Sequence, residues 1–306
     1  MTLAVLCPGQ GGQHAGMFTR LRGHAAAEQV LECLADVLGA GWAELPNDPQ
    51  ALFLNRHAQP LLCVAQYACW QALGDVLHEA VAVAGYSAGE VTAHACAGLL
   101  DAPALASVAH GRAALMDRLA RPGGLLAVRG LRRGDIEQAC ARHGASVAIV
   151  NGEDAFVVGA ALPALHALAD QVQQAGAQVT PLKVGVPSHT PLLRDAVAPF
   201  AELLHGTLRG ALQKTVIAGI DADRVANTAA AIETLSRQLA QTIEWARCMD
   251  TLYERGCRVF IELGPGSALS RLIVARHADV RARSIDDFQT LAGARAWLAR
   301  EVDALR

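Results

Sequence analysis

Aromatic residues make up only 4% of this 306-residue chain, and no basic stripe is interleaved with them. A nucleic-acid interface usually needs both, so a nucleic-acid partner has little support. No uninterrupted apolar stretch approaches the ~20 residues that a membrane helix requires, so no membrane span is expected. The apolar start Met1-Thr2-Leu3-Ala4-Val5-Leu6-Cys7 carries no basic region. It runs straight into Pro8-Gly9-Gln10-Gly11-Gly12-Gln13, which suits a strand and a loop rather than a signal peptide. The eight cysteines (Cys7, Cys33, Cys63, Cys69, Cys96, Cys140, Cys248, Cys257) include no C-x-x-C pair, and most sit in apolar segments. Buried, reduced thiols are expected, with the cytoplasm as the default compartment. Repeats and low-complexity segments are also missing. What remains is 52% hydrophobic and 18% charged residues at a net charge of −3, enough to bury a sizeable core in one large domain or two smaller ones.

Three regions differ in pattern. In the first, up to about Arg121, short apolar strands alternate with longer helical stretches. Leu3–Cys7 and Val81–Ala84 are short, apolar and bounded by Gly or Pro, as buried strands are, and Ala25–Leu38 and Leu61–Leu77 have helical length. Pro122-Gly123-Gly124 then breaks the chain. Beyond it the pattern predicts a strand (Leu125–Gly130), a helix (Gly134–Arg142), two strands (Ser146–Val150, Ala155–Gly159), a helix (Leu162–Ala175) and a strand (Gln178–Val184). That βαββαβ order is ferredoxin-like. After Pro187 the first style returns: Val259–Leu263 is a strand ending at Gly264-Pro265-Gly266, and the last helix is placed after the N-cap candidates Asp286-Asp287. The expected fold is α/β. A large α/β-hydrolase-like subdomain (residues 1–122 and 188–306) holds a parallel sheet, and a small ferredoxin-like subdomain (residues 123–187) is inserted into it.

The strongest local signal is Gly85-Tyr86-Ser87-Ala88-Gly89, between the strand Val81–Ala84 and a helical stretch from Glu90 to Leu100. This is the strand–turn–helix setting of a nucleophile elbow. The flanking glycines make room for a sharp turn that exposes the serine hydroxyl, and the backbone N–H of Ala88 can stabilise an oxyanion. A chance match in a chain rich in Gly and Ala is the bland alternative. A serine nucleophile needs a base. Of the eleven histidines, His189 in Val186-Pro187-Ser188-His189-Thr190-Pro191 is the best candidate, although position alone favours a structural histidine. An unperturbed imidazole there would lose activity below about pH 6.5. The loop Gly9-Gln10-Gly11-Gly12 opens at the carboxyl edge of the sheet, where it can offer a second oxyanion N–H; phosphate cradling is the runner-up, and neither the Walker lysine nor dinucleotide spacing is present.

Pro8-Gly9-Gln10-Gly11-Gly12-Gln13, Gln59-Pro60, Gly85-Tyr86-Ser87-Ala88-Gly89-Glu90, Arg112 with Met116, Val186-Pro187-Ser188-His189 and Glu262-Leu263-Gly264-Pro265-Gly266 occur in this order. Together they resemble malonyl-CoA:acyl-carrier-protein transacylases from end to end. Tyr86, in place of that family's usual histidine, and the segment Leu52–Pro60 look like the epsilon subunit of malonate decarboxylase.

The resemblance implies Ser87 as nucleophile, His189 as its base, and Gln10 and Ala88 as oxyanion donors through their backbones. Arg112, which composition alone would make an exposed helix arginine, would hold the malonyl carboxylate in a bidentate pair. Gln59 and Asn151 match polar residues lining the pocket. Glu244, in Thr242-Ile243-Glu244-Trp245, matches a glutamine whose carbonyl supports the histidine; it would act through that carbonyl or, alternatively, through its carboxylate in a Ser–His–Glu arrangement.

The implied activity is transfer of malonyl from malonyl-CoA, through a Ser87 ester, to the phosphopantetheine-type thiol of an acyl-carrier protein. Coenzyme A thioester is the substrate; no bound cofactor and no metal are expected. The setting is a malonate decarboxylase system with its other subunits as partners. The alternatives are a transacylase of fatty-acid or polyketide synthesis and, less favoured because no Asp stands out between Ser87 and His189, a serine hydrolase. A silent module that docks carrier proteins is opposed by the intact Ser87, His189 and Arg112.

Overall fold

The computed structural model describes residues 2–119 and 121–304. Nine strands form two sheets among these residues. The larger sheet has the order β7-β2-β1-β8-β9, built from β1 (Thr2–Cys7), β2 (Ala82–Gly85), β7 (Thr215–Ile217), β8 (Cys257–Glu262) and β9 (Arg281–Ser284), every pair parallel. Helices cover both of its faces, which is why Leu3, Ala4, Val5, Leu6 and Cys7 of β1 are all buried instead of alternating with polar residues. The smaller sheet is antiparallel, in the order β4-β5-β3-β6. It uses β3 (Gly123–Arg129), β4 (Ser146–Val150), β5 (Ala155–Ala161) and β6 (Gln178–Pro181), with the helices Arg133–His143 and Leu162–Gln174 between them in sequence. The expected α/β class and the βαββαβ order of the insert are both present.

The two sheets meet through the chain beyond Ala240. The Ile243 N–H donates to Ala148 O at 2.9 Å and the Val150 N–H donates to Ile243 O at 2.8 Å, so this loop pairs with β4 like a short extra strand.

Boundaries differ from the sequence expectation where local signals compete. The expected helix Ala25–Leu38 is two helices, Ala25–Glu32 and Leu34–Leu38. The stretch expected from Leu61 starts earlier, as the helix Asn55–Ala72 with Pro60 in its second turn. Asp286 and Asp287 do not cap the last helix. They lie in a 3₁₀ turn, Ile285–Asp287, closed by a capping box with Ser284, and the helix begins at Leu291 under a Thr290 cap. β7 and β9 escaped the sequence pattern because one has three residues and the other, Arg281-Ala282-Arg283-Ser284, is a polar edge strand. All eight cysteines are unpaired and buried. No helix among the described residues is long and apolar enough to cross a membrane.

Candidate active site

β2 delivers the chain to a sharp turn. Ser87, just past its end, has φ of 56°, a left-handed conformation that a residue with a β-carbon adopts at a cost. The turn is held by Gly89 N–H to Tyr86 O and Glu90 N–H to Ser87 O, both at 3.0 Å, and the helix Gly89–Cys96 follows at once. Gly89 is required by close approach: a β-carbon there would lie 2.1 Å from Cys7 O on the neighbouring strand. Tyr86 packs edge-on against Trp245, ring centroids 5.4 Å apart.

His189 comes from the loop after β6 and also has a left-handed backbone, φ 62°. It caps the C-terminal end of the helix Thr228–Gln238, where carbonyls lack partners within the helix. Its backbone N–H donates to Leu239 O at 2.8 Å, and its Nδ1 lies 2.7 Å from Gln238 O. A carbonyl only accepts, so the ring proton sits on Nδ1. That leaves the Nε2 lone pair facing the Ser87 hydroxyl at 2.8 Å. Burial and the Arg112 charge push His189 down to about 3, against the upward pull of the Gln238 carbonyl. The imidazole is therefore neutral at all ordinary pH values, and the acid limb expected near pH 6.5 is displaced. In the unmodified protein the acylation rate is expected to show no His189-dependent fall between pH 7 and pH 5; a half-loss near 6.5 in stopped-flow acylation would show the ring to be more exposed to water than its burial implies.

Arg112, on the helix Ala102–Leu119, is buried, not exposed as composition suggests. Its Nη1 donates to Gln59 Oε1 at 2.8 Å and its Nη2 to Gln238 Oε1 at 3.2 Å, while Nε is buried without a partner. A guanidinium has five N–H donors, so these two bonds leave three for an anion. Burial lowers Arg112 to about 10, which keeps it charged near neutral pH. Gln59 passes the network on: its Nε2 donates to Gln10 Oε1 at 3.2 Å and to Asn55 Oδ1 at 2.7 Å. The Gln10 loop lies directly on the nucleophile, since a β-carbon on Gly9 would stand 2.7 Å from Tyr86 O and 3.3 Å from the Ser87 β-carbon. Neither the Gln10 N–H nor the Ala88 N–H is committed to a backbone carbonyl.

Beside this cluster opens a cleft of about 600 Å³ between the two sheets, lined in part by Gln10, Tyr86, Asn151 and Pro265. Hydrogen bonds thus join Ser87, His189, Arg112, Gln59 and Gln10, whereas Asn151 stands in the cleft wall without a bond to them.

Glu244 is a correction. His189 takes its support from the Gln238 carbonyl, six residues earlier, and the Glu244 carboxylate forms a bidentate pair with Arg133 at 2.8 and 3.1 Å instead. The cause is the pairing of residue 243 with β4, which carries Glu244 toward the smaller sheet. A pair whose arginine is half-exposed is worth about 1 kcal/mol or less, so Glu244→Gln is expected to change the acylation rate by less than about threefold. A loss of about 100-fold in steady-state assays would restore the carboxylate to the catalytic machinery.

Two buried residues escaped the sequence. Gln238 carries no local signal, because it acts partly through a carbonyl that every residue has. Glu90, at the start of a helix, has the position of an ordinary helix-dipole acid, yet it is fully buried.

A strained serine on an elbow, a neutral imidazole on its hydroxyl and free N–H groups beside it form a site that can take an acyl group onto oxygen and give it up again. The chain belongs to the acyl transferase domain family, whose model matches residues 5–290. It is 30% identical over 297 residues to the malonyl CoA-acyl carrier protein transacylase of Haemophilus influenzae, covering 93% of this chain and 95% of that one. Among solved structures it is similar to the malonyl-CoA:acyl carrier protein transacylase of Helicobacter pylori (TM-score 0.91, 28% identity, 98% and 99% of the two chains). It is also similar to a malonyl-transacylase solved in complex with its type II PKS acyl-carrier protein (TM-score 0.89, 28% identity, 97% and 99%).

Proposed function

We propose that this protein is a malonyl-CoA:acyl-carrier-protein transacylase, with Ser87 as nucleophile, His189 as general base and Arg112 as receptor for the malonyl carboxylate. The reading rests above all on the 2.8 Å contact between Ser87 Oγ and His189 Nε2, with Nδ1 anchored on a carbonyl. The nucleophile, the base and the guanidinium all lie on the chain outside 123–187, and the insert would form the second wall of the cleft. Among the family's acyl substrates, a diacid monothioester fits a site with a buried guanidinium.

In the first half-reaction His189 Nε2 takes the Ser87 proton as Oγ attacks the thioester carbonyl. The Gln10 and Ala88 N–H groups receive the oxyanion. Collapse breaks the C–S bond, and the coenzyme A thiolate leaves with the proton from Nε2. In the second half the carrier's thiol gives its proton to Nε2 and attacks the serine ester, and Ser87 recovers the proton. A thiol acceptor and exclusion of water separate transfer from hydrolysis. The chemistry uses the chain's own groups, the thioester and the acceptor thiol.

The relatives named malonyl CoA-acyl carrier protein transacylase, and the one solved with a type II PKS acyl-carrier protein, favour an acyl-carrier protein of fatty-acid or polyketide type as acceptor. Tyr86 favours a second reading, an acyltransferase working beside the other subunits of a malonate decarboxylase. The test is transfer from malonyl-CoA to several purified carrier proteins. The first reading expects the highest kcat/KM with an acyl-carrier protein of biosynthesis; preference for a malonate decarboxylase carrier would favour the second, and transfer to water alone would overturn both.

A further inference from the structure

Behind the nucleophile lies an ionisable group for which acyl transfer itself has no use. Glu90 is fully buried in the helix that follows Ser87. Its Oε2 accepts from the Gly219 N–H at 3.0 Å and from the side-chain amide of Gln238, while Oε1 has no hydrogen-bond partner. The same Gln238 amide accepts from Arg112 Nη2 at 3.2 Å through its oxygen. One side chain thus sits between an acid and a guanidinium, bonded to both, and Glu90 acts on Arg112 as a counter-charge.

A single guanidinium in a dry site can offset one negative charge well, and a second carboxylate nearby is costly. If Arg112 receives the substrate's carboxylate, as the proposed function holds, two anions then face it wherever Glu90 is ionised. We propose that Glu90 is a proton-accepting counter-charge to Arg112, taking up a proton when an acyl carboxylate seats on the guanidinium, so that loading of a diacid thioester is linked to proton uptake.

The surrounding groups leave this role to Glu90. Burial, with a further push from Asp221 in the loop after β7, already raises it to about 8 against its two hydrogen bonds and Arg112. His94, one turn along the same helix, is lowered by burial to about 4, and His189 to about 3. Burial raises Cys63, on the helix Asn55–Ala72, to about 12, and it raises Cys248, on the helix Trp245–Glu254, well above the usual thiol range. Of these shifted groups, Glu90 is the one that changes charge near neutral pH.

The sign follows from these values. Below about pH 7 Glu90 is protonated with or without ligand, and loading moves no proton. Above about 8 the empty protein is ionised and the loaded one is not, so affinity for the diacid falls by up to about tenfold per pH unit. Glu90 is a positioning group here and touches no reacting atom.

The experiment uses the full chain carrying Ser87→Ala, so that no coenzyme A thiol is released to confuse the proton count. Malonyl-CoA binding is measured by calorimetry at pH 6.5 and 8.5 in two buffers of different ionisation enthalpy. The expectation is close to no proton at 6.5 and between a half and one proton taken up at 8.5, for a group near 8. Acetyl-CoA should take up none, and adding Glu90→Gln should abolish the uptake. Binding of malonyl-CoA with no uptake at 8.5, or with uptake that survives Glu90→Gln, overturns the proposal while leaving the transacylase reading intact. Equal affinity for malonyl-CoA and acetyl-CoA would instead strike the role of Arg112 and the inference with it. Should Glu90→Gln fail to fold, the infrared difference spectrum of Ser87→Ala at pH 8.5 decides: a gained protonated-carboxyl band on binding supports the proposal, and its absence refutes it.

Discussion

Arg112→Ala is expected to lower kcat/KM for malonyl-CoA by roughly 100- to 1,000-fold or more, while acetyl-CoA stays level or improves. A carboxylate entering a dry pocket loses its water and needs a partner; stranding one member of such a pair costs ~3–5 kcal/mol. Arg112 can be that partner because it is buried and keeps donors unspent, including an orphaned Nε. Lysine would supply the charge but not the paired geometry, so Arg112→Lys should recover only part of the loss. The acetyl group has no carboxylate to satisfy. Removing the guanidinium also removes one of the two influences that hold His189 low, so the base becomes stronger toward acetyl-CoA. Equal losses on both substrates would make Arg112 a structural residue, since its bonds to Gln59 and Gln238 are lost as well. An unchanged malonyl preference would assign the carboxylate to another residue.

The contrast between Ser87 and Gln238 shows which parts of the site the sequence makes legible. Ser87 announces itself because its turn demands glycines at fixed offsets and a strand and a helix on either side. His189 is legible through its Pro- and Thr-flanked loop as the best candidate base, though only the resemblance outweighs a structural role. The burial of Arg112 could not come from composition, since what hides it is packing between helices distant in sequence. The support for His189 was misplaced by six residues for a physical reason. A backbone carbonyl carries no residue identity, and which one is free depends on where the helix Thr228–Gln238 stops. Glu244 is singled out by its match to a glutamine of the family, yet the pairing beside it turns its carboxylate to Arg133. In the fold, the buried strands β1, β2 and β8 stand out by their apolar runs. The three-residue β7 and the polar β9 depend on neighbours that only the folded sheet provides.

Ser87→Ala has the largest expected effect, because the covalent intermediate needs an oxygen nucleophile and no other described residue shares this geometry. Ser87 combines the left-handed turn, the 2.8 Å contact to His189 and the adjacent uncommitted N–H groups. The cysteines are poor substitutes: Cys63, the thiol beside Arg112, is raised by burial to about 12 and would rarely be a thiolate. The remaining rate should come from bound substrate alone, leaving transfer on the order of 10⁴-fold or more below the unmodified protein, because nucleophile and base act as one unit. The most direct measurement is intact-mass spectrometry after mixing with malonyl-CoA and no acceptor, followed by peptide mapping. The account predicts one malonyl group per chain, mapped to Ser87, discharged on adding a carrier thiol and absent from Ser87→Ala. An adduct on a cysteine, or one that persists undiminished in Ser87→Ala, would contradict it.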